Sequence, residues 1–293
     1  MIQRRPFSTA TALALASPLA FLCTRARATP GLQARLQELE TTAQGRLGVF
    51  ILDTATGQTQ GHRADERFMM LSSFKVLASA LVLARVDRGE ESLGRRITFA
   101  QSDLVSYSPV TERFAGTPEG MSLADLCEAA ITTSDNSAAN LILDSYGGPA
   151  ALTRFARELG DETTRLDRRE TELNTGTAAA QLDTTTPPAM VLTMQKLLLD
   201  NALSPASRER LQQWLVRSTT GDKRLRAGLP AGWRVGDKTG TNTTDANDIG
   251  IAWPANGRAP LIITVYLAES PASSAVKETT IAGVARLAAG LVH

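Results

Sequence analysis

Leu71-Ser72-Ser73-Phe74-Lys75-Val76-Leu77 sets a serine where a helix should begin and a lysine three residues later inside an otherwise apolar run. From Val76 to Val86 the sequence is alanine, valine and leucine with one serine and one arginine, which predicts a mostly buried helix ending near Gly89. Positions i and i+3 share a helix face, so the Ser72 hydroxyl and the Lys75 amine can meet. Burying a lysine charge without partners is costly, so the site must supply hydrogen bonds or push the amine towards its neutral form. A neutral amine beside a serine hydroxyl is a base beside a nucleophile. Taken alone, Ser-x-x-Lys more often marks a lysine that snorkels to solvent, so the weight rests on its companions.

On either side of this helix the chain changes character. Leu32 to Ala43 predicts a helix, Leu47 to Asp53 a buried strand, and a turn at Thr56-Gly57 leads to a more polar strand ending near His62. Beyond the helix, 104–110 and 113–120 are loop-like. Ser122-Leu123-Ala124-Asp125 has the capping-box pattern and opens a helix towards Ile131. Helices follow at Ser137 to Ser145 and Pro149 to Leu159, then a helix-poor run from Asp161 to Thr186, then helices at Pro188 to Asp200 and Pro205 to Val216. Strands return at Arg234 to Gly236 leading into Lys238-Thr239-Gly240, at Asp248 to Trp253 and at Leu261 to Leu267, before a last helix from Ala275 to Leu287. Strands, helices, then strands predict an α+β fold. Two N-terminal and three C-terminal strands form one five-stranded antiparallel sheet, flanked by the terminal helices, with an all-helical domain inserted. The expected boundaries are 29–66 and 219–293 for the sheet domain and 67–218 for the helical domain. A site is expected at the seam between them.

Composition narrows the chemistry. The 293 residues carry a formal net charge of +1, which gives no support for binding nucleic acid or a membrane surface. The two histidines, His62 and His293, supply neither a His-rich metal site nor a Ser-His-Asp triad. A serine nucleophile must therefore use lysine or glutamate as its base. Arg4-Arg5 precede an apolar stretch from Ala10 to Leu22 and the small-residue cleavage pattern Ala26-Arg27-Ala28, so residues 1–28 read as an export signal of Sec or twin-arginine type. Cleavage removes Cys23 and leaves Cys127 unpaired, in a periplasmic or secreted protein.

Three stretches join the first. Ser134-Asp135-Asn136 lies between two predicted helices, where Ser or Asp capping a helix is the plain alternative to side chains facing a cleft. Lys238-Thr239-Gly240 sits on a predicted strand and suits an anionic ligand that approaches the backbone closely; the alternative is an edge lysine and a bulge. Glu170-Thr171-Glu172-Leu173-Asn174 places a carboxylate and an amide four residues apart, able to hold a water between them; the alternative is a solvated acidic loop.

Together the four sets resemble the full motif set of the class A serine β-lactamases. The resemblance covers essentially the whole mature chain and extends to Leu104–Val110, Asp183–Pro187 and Thr219–Arg224. It implies a β-lactamase/transpeptidase-like fold with an Ω-loop at 165–183, a small-molecule β-lactam substrate, no cofactor, and a monomer. It also implies roles. Ser72 attacks the lactam carbonyl to form an acyl-enzyme, with Lys75, or Glu170 through a water, as base. The amides of Ser72 and Thr241 form the oxyanion hole. Ser134 passes a proton to the leaving nitrogen, assisted by the charges of Lys75 and Lys238. Glu170 and Asn174 position the deacylating water, Asn136 bonds the substrate's side-chain amide, and Tyr107 walls the cleft. Lys238, Thr239, Gly240 and Thr241 form the carboxylate strand.

Two departures from the family pattern are visible. The arginine that many members carry on the next strand is replaced by Asn247, so the carboxylate arginine is expected at Arg224, where a subset has it; the alternative is surface charge beside Lys223 and Arg226. The cysteine pair of the best-known carbapenem-hydrolysing members is replaced by Leu71 and Asn242, so the resemblance does not extend to carbapenems. Cys127 matches half of a disulfide found in another subset, but its partner position is Ser79, leaving a buried thiol. Arg168 and Asp183 are placed to pin the Ω-loop ends. The rival readings, a penicillin-binding D,D-peptidase or a β-lactam-sensing receptor domain, predict acylation without turnover.

Overall fold

The computed structural model describes residues 30–292; the export segment read over 1–28, with Cys23, lies outside the described residues. Helix α1 (Pro30–Ala43) leads into a hairpin of β1 (Arg46–Asp53) and β2 (Thr59–His62). After β3 (Phe68–Met69), a 3-10 turn at Leu71–Phe74 runs directly into α2 (Lys75–Asp87). The chain continues through β4 (Arg96–Ile97), β5 (Met121–Ser122), α3 (Leu123–Thr132), α4 (Asn136–Ser145) and α5 (Pro149–Glu158). The helix-poor run holds 3-10 turns at Glu172–Asn174 and Ala178–Ala180, then β6 (Thr184–Thr185). Helices α6 (Pro187–Leu198), α7 (Pro205–Val216) and the short α8 (Leu225–Gly228) precede β7 (Arg234–Thr241), β8 (Ala246–Trp253), β9 (Leu261–Ala268) and α9 (Ser274–Ala289).

The sheet is five-stranded, in the order β2-β1-β9-β8-β7, and its recorded pairings are all antiparallel. Its centre joins the two chain ends, with Arg46 opposite Ala268 and Asp53 opposite Leu261. Strand β1 reads as a continuous apolar run because both its faces are covered. Leu47, Val49 and Ile51 pack with α1 and α9, while Phe50 and Leu52 pack with the helical layer. One hydrophobic cluster runs without a break from Ile249, Ile251 and Tyr266 on the sheet to Phe74, Leu77 and Trp214 on the helices. The two layers therefore share a core, and their seam is held by apolar packing.

Local chemistry sets the element ends that matter for the seam. Ser122 and Asp125 form the expected capping box of α3, with the Ser122 hydroxyl accepting from the Asp125 amide. Asp135 caps α4 by accepting from the Ala138 amide. The sequence did not signal the two-residue pairings β3–β6 and β4–β5, which are too short to show a period, nor the single helical turn α8. Ser72, the expected helix start, lies in a 3-10 turn, and the α-helix proper begins later, at Lys75. The Ω-loop ends are tied by Arg168, whose Nε lies 2.6 Å from Oδ2 of the fully buried Asp183. Asp183 Oδ1 accepts the amides of Asp167 and Arg168 as well.

Candidate active site

The apolar face of α2 carries Lys75 out of water entirely, and its burial is matched by partners. Its Nζ donates to the Ser134 carbonyl at 2.8 Å and to Asn136 Oδ1 at 2.6 Å, and lies 2.9 Å from Glu170 Oε1. Burial pushes the amine below the ordinary lysine value, while the charges of Glu170 and Asp135 hold it up. The structure thus uses both ways of accommodating a buried lysine. Ser72 and Lys75 meet through a third atom: the Ser72 hydroxyl donates to the same Glu170 Oε1 at 3.1 Å.

Glu170 is buried, so the solvated-loop alternative does not hold. Its backbone is clamped by Asn140 of α4, which donates from Nδ2 to the Glu170 carbonyl at 2.8 Å and accepts from the Glu170 amide at 3.0 Å. Glu170 Oε2 accepts from Asn174 Nδ2 at 2.6 Å. The carboxylate and the amide are therefore in direct contact, where the spacing alone allowed a water between them.

Ser134 takes a left-handed backbone (φ 61°), as do Leu71 (φ 49°) and Tyr107 (φ 62°). Such conformations in residues other than glycine store strain and gather where a site dictates geometry. The Ser134 hydroxyl accepts from Lys238 Nζ at 2.9 Å and lies 3.4 Å from Lys75 Nζ. Burial, and then repulsion by Lys75, push the Lys238 amine well below its ordinary value. Asp135 turns the opposite way from its neighbours, capping α4 and accepting the amides of Val110 and Thr111 at 2.9 Å, which fixes the loop carrying Tyr107. The capping and cleft readings of this triplet are both realised, on alternate residues.

On β7 the glycine serves a purpose different from the expected one. A Cβ at Gly240 would stand 2.9 Å from Leu71 Cβ and 3.0 Å from the Met70 carbonyl, so the bare backbone admits the Ser72 turn rather than a ligand. Asn247, opposite Gly240, donates to the Met69 and Met70 carbonyls and secures the same turn. Arg224 is buried, which overturns its surface-charge alternative. Its guanidinium donates to the Gly240 carbonyl at 3.0 Å, to the Asn247 carbonyl at 2.7 Å and to Thr241 Oγ1 at 2.7 Å. Thr239 Oγ1 lies 2.7 Å from Thr220 Oγ1.

These groups surround a cleft of about 280 Å³ lined by Ser72, Tyr107, Ser134, Asn136, Asn174, Thr220, Arg224, Thr239 and Thr241. Lys75, Glu170, Lys238 and Gly240 stand behind that lining. The model of the β-lactamase enzyme family matches residues 31–292. β-Lactamase L2 of Stenotrophomonas maltophilia is 47% identical over 255 residues, covering 87% of this chain and 84% of that protein. Among solved structures, the ancestral (GNCA) class A β-lactamase superposes with a TM-score of 0.86 at 58% identity, covering 89% of this chain and 99% of that one. The class A β-lactamase of the last common ancestor of Gram-negative bacteria (GNCA4) gives 0.87 at 57% identity over 90% and 100% of the two chains. The chain belongs to the class A β-lactamases.

In this β-lactamase every residue selected from the sequence lies in the cleft or directly behind it. Exposed Tyr107 forms one wall, with 61% of its surface accessible. Asn136 spends Oδ1 on Lys75 and donates from Nδ2 to the Ser106 carbonyl at 2.8 Å. Asn140 and Thr220 are the partners that the motifs did not announce. Asn140 had a usable signal, because it stands one turn beyond Asn136 on the same face of α4. Among the described residues, no helix is long and apolar enough to cross a membrane.

Proposed function

We propose that this class A β-lactamase hydrolyses the lactam amide of penicillins and cephalosporins through an acyl-enzyme on Ser72, released by a water that Glu170 activates. The observation that carries this reading is the single atom Glu170 Oε1, in reach of the Ser72 hydroxyl at 3.1 Å and the Lys75 amine at 2.9 Å. The proton leaving Ser72 has two acceptors side by side, Lys75 in its neutral form and Glu170. The Ser72 Oγ–carbonyl bond forms, the carbonyl carbon–nitrogen bond breaks, and Ser134 donates its proton to the departing nitrogen. Lys75 and Lys238 beside the Ser134 hydroxyl favour that donation and its reprotonation. The amides of Ser72 and Thr241 would hold the oxyanion, each contributing about 3 kcal/mol at the transition state.

In the second half-reaction, water held by Glu170 and Asn174 adds to the ester carbonyl, its proton passes to Glu170, and the Ser72 oxygen leaves and is reprotonated. Asn136 takes the amide of the substrate side chain. Thr239, Thr241 and Arg224 take its carboxylate, with Lys238 and Gly240 supporting that strand from behind. The folding units behind the site are the sheet domain of 29–66 and 219–293 and the helical domain of 67–218. The mature protein acts in the periplasm or as a secreted enzyme, as a monomer, after loss of residues 1–28.

Purified mature protein mixed with a chromogenic cephalosporin is expected to turn over many equivalents and to confer resistance on its host; one equivalent per protein would refute the hydrolytic reading. Glu170→Ala is expected to accumulate an acyl-enzyme visible by intact mass. Unchanged steady-state hydrolysis in that variant removes Glu170 from deacylation.

A further inference from the structure

Alternation along β7 separates two sets of side chains. Lys238 and Gly240 face the helical layer, while Asp237, Thr239 and Thr241 face the segment 219–228. Thr239 is paired with Asp248 on β8, so Asp248 shares the second face and lies diagonally from Asp237. Both carboxylates are fully buried. Asp237 Oδ1 accepts from Arg226 Nε at 2.6 Å. Asp248 Oδ2 accepts the amide of Leu225 at 3.0 Å, the residue that follows Arg224. Gly221 makes room for this arrangement, since a Cβ there would fall 1.6 Å from Asp237 Oδ2.

Three buried polar atoms in this compartment, Asp237 Oδ2, Asp248 Oδ1 and Arg224 Nε, have no direct partner. Two are carboxyl oxygens and one is a guanidinium nitrogen. Native proteins rarely leave such groups unpaired without a reason. Asp248, Asp237, Glu278 and, from α9, Lys277 are the titratable neighbours of Arg224 in this compartment. The Nη atoms of Arg224 are held by the Gly240 and Asn247 carbonyls and by Thr241, while the backbone that carries the side chain is tied to Asp248 through the next amide, that of Leu225.

We propose that Asp248 is the positioning residue of the carboxylate site: it anchors the Arg224–Leu225 peptide and so sets where the Arg224 side chain starts its reach to Thr241. This rests on reading Arg224 as the carboxylate-binding arginine. Asp248 touches no substrate and acts through Arg224. Burial, followed by repulsion from Asp237, favours the neutral form of Asp248, so an uncharged side chain with an oxygen in the same place should do its work.

The test is a cycle of Arg224→Ala, Asp248→Ala and the double variant, with Asp248→Asn as the conservative replacement, assayed on a penicillin. Asp248→Ala is expected to raise KM about tenfold with kcat changed less than about threefold, the size a small misplacement of a binding group produces. Asp248→Asn, which keeps an oxygen for the Leu225 amide, is expected to bring KM back to within about threefold of the parent. In the Arg224→Ala background the alanine substitution should add nothing, because the two residues act on one contact. An unchanged KM in Asp248→Ala, or the same rise on top of Arg224→Ala, overturns the proposal. An unchanged KM in Arg224→Ala alone overturns the carboxylate assignment, and this proposal with it. Asp248→Ser is a second truncation, read by the same outcomes should the alanine variant fail to fold.

Discussion

Lys75 and Glu170 are both out of water and 2.9 Å apart, so each is the condition for the other's burial. Removing one partner of such a pair leaves an uncompensated charge and costs about 3–5 kcal/mol. Lys75→Ala is therefore expected to lower the thermal midpoint as well as slow acylation, whereas Ser72→Ala should abolish acylation and leave the midpoint nearly unchanged. Calorimetry beside an intact-mass assay separates the two. Arg224→Ala should act on substrate capture, raising KM about tenfold, as loss of a charge-assisted pair predicts; unchanged kinetics would take Arg224 out of the site. Cys127 presents the opposite case. Burial pushes its thiol to about 12, so an aromatic disulfide reagent should find no reactive thiol until the protein is unfolded. At this scale the sequence was most legible where a residue type is costly in its setting. A lysine in an apolar helix demanded an explanation, while Asn140, an ordinary polar residue in an amphipathic helix, signalled only through its spacing from Asn136.

Single elements are tied down by carboxylates away from the cleft. Glu40 on α1 lies 2.7 Å from His62 Nε2, accepts from Arg63 Nε at 2.7 Å and takes the Leu47 amide at 3.2 Å, joining the first helix to both strands of the hairpin. Burial alone would raise its value, but the hydrogen bonds from Arg63, His62 and Leu47 outweigh burial and hold it at about 2 against an ordinary 4.5. A depressed folded-state value means stability that is present above 4.5 and drains away as the pH falls towards 2. Glu40→Gln should flatten that stretch of the stability curve, measured by denaturant unfolding at stepped pH. The Ω-loop makes a similar case. Asp183→Ala removes the acceptor of two loop amides and of Arg168, and should expose 165–183 to proteolytic nicking while the sheet stays protected in hydrogen exchange. The elements themselves were readable from period and punctuation, because helices of ten residues or more and strands buried on both faces carry long patterns. Two-residue ladders and the α8 turn carry none, and tertiary packing alone fixes them.

Across the whole molecule, catalytic geometry depends on how closely β7 approaches the turn before α2. Gly240→Ala would set a methyl 2.9 Å from Leu71 Cβ, at a contact backed by one core common to sheet and helices. It is expected to cut kcat/KM at least tenfold while leaving far-ultraviolet circular dichroism intact, since a small shift at the seam misplaces reacting groups before it unfolds anything. The order of elements showed that a seam would exist. It could not show which backbone atoms touch there, because Gly240, Met70 and Leu71 meet only through the packing of distant parts. The pairing of Arg46 with Ala268 has a further outcome. The central ladder cannot form until the last strand has left the ribosome, so the edge of β1 opposite β2 waits, unzipped, through most of synthesis. Nascent chains stalled before Leu261 should be digested by protease throughout, and only release of the finished polypeptide should bring resistance.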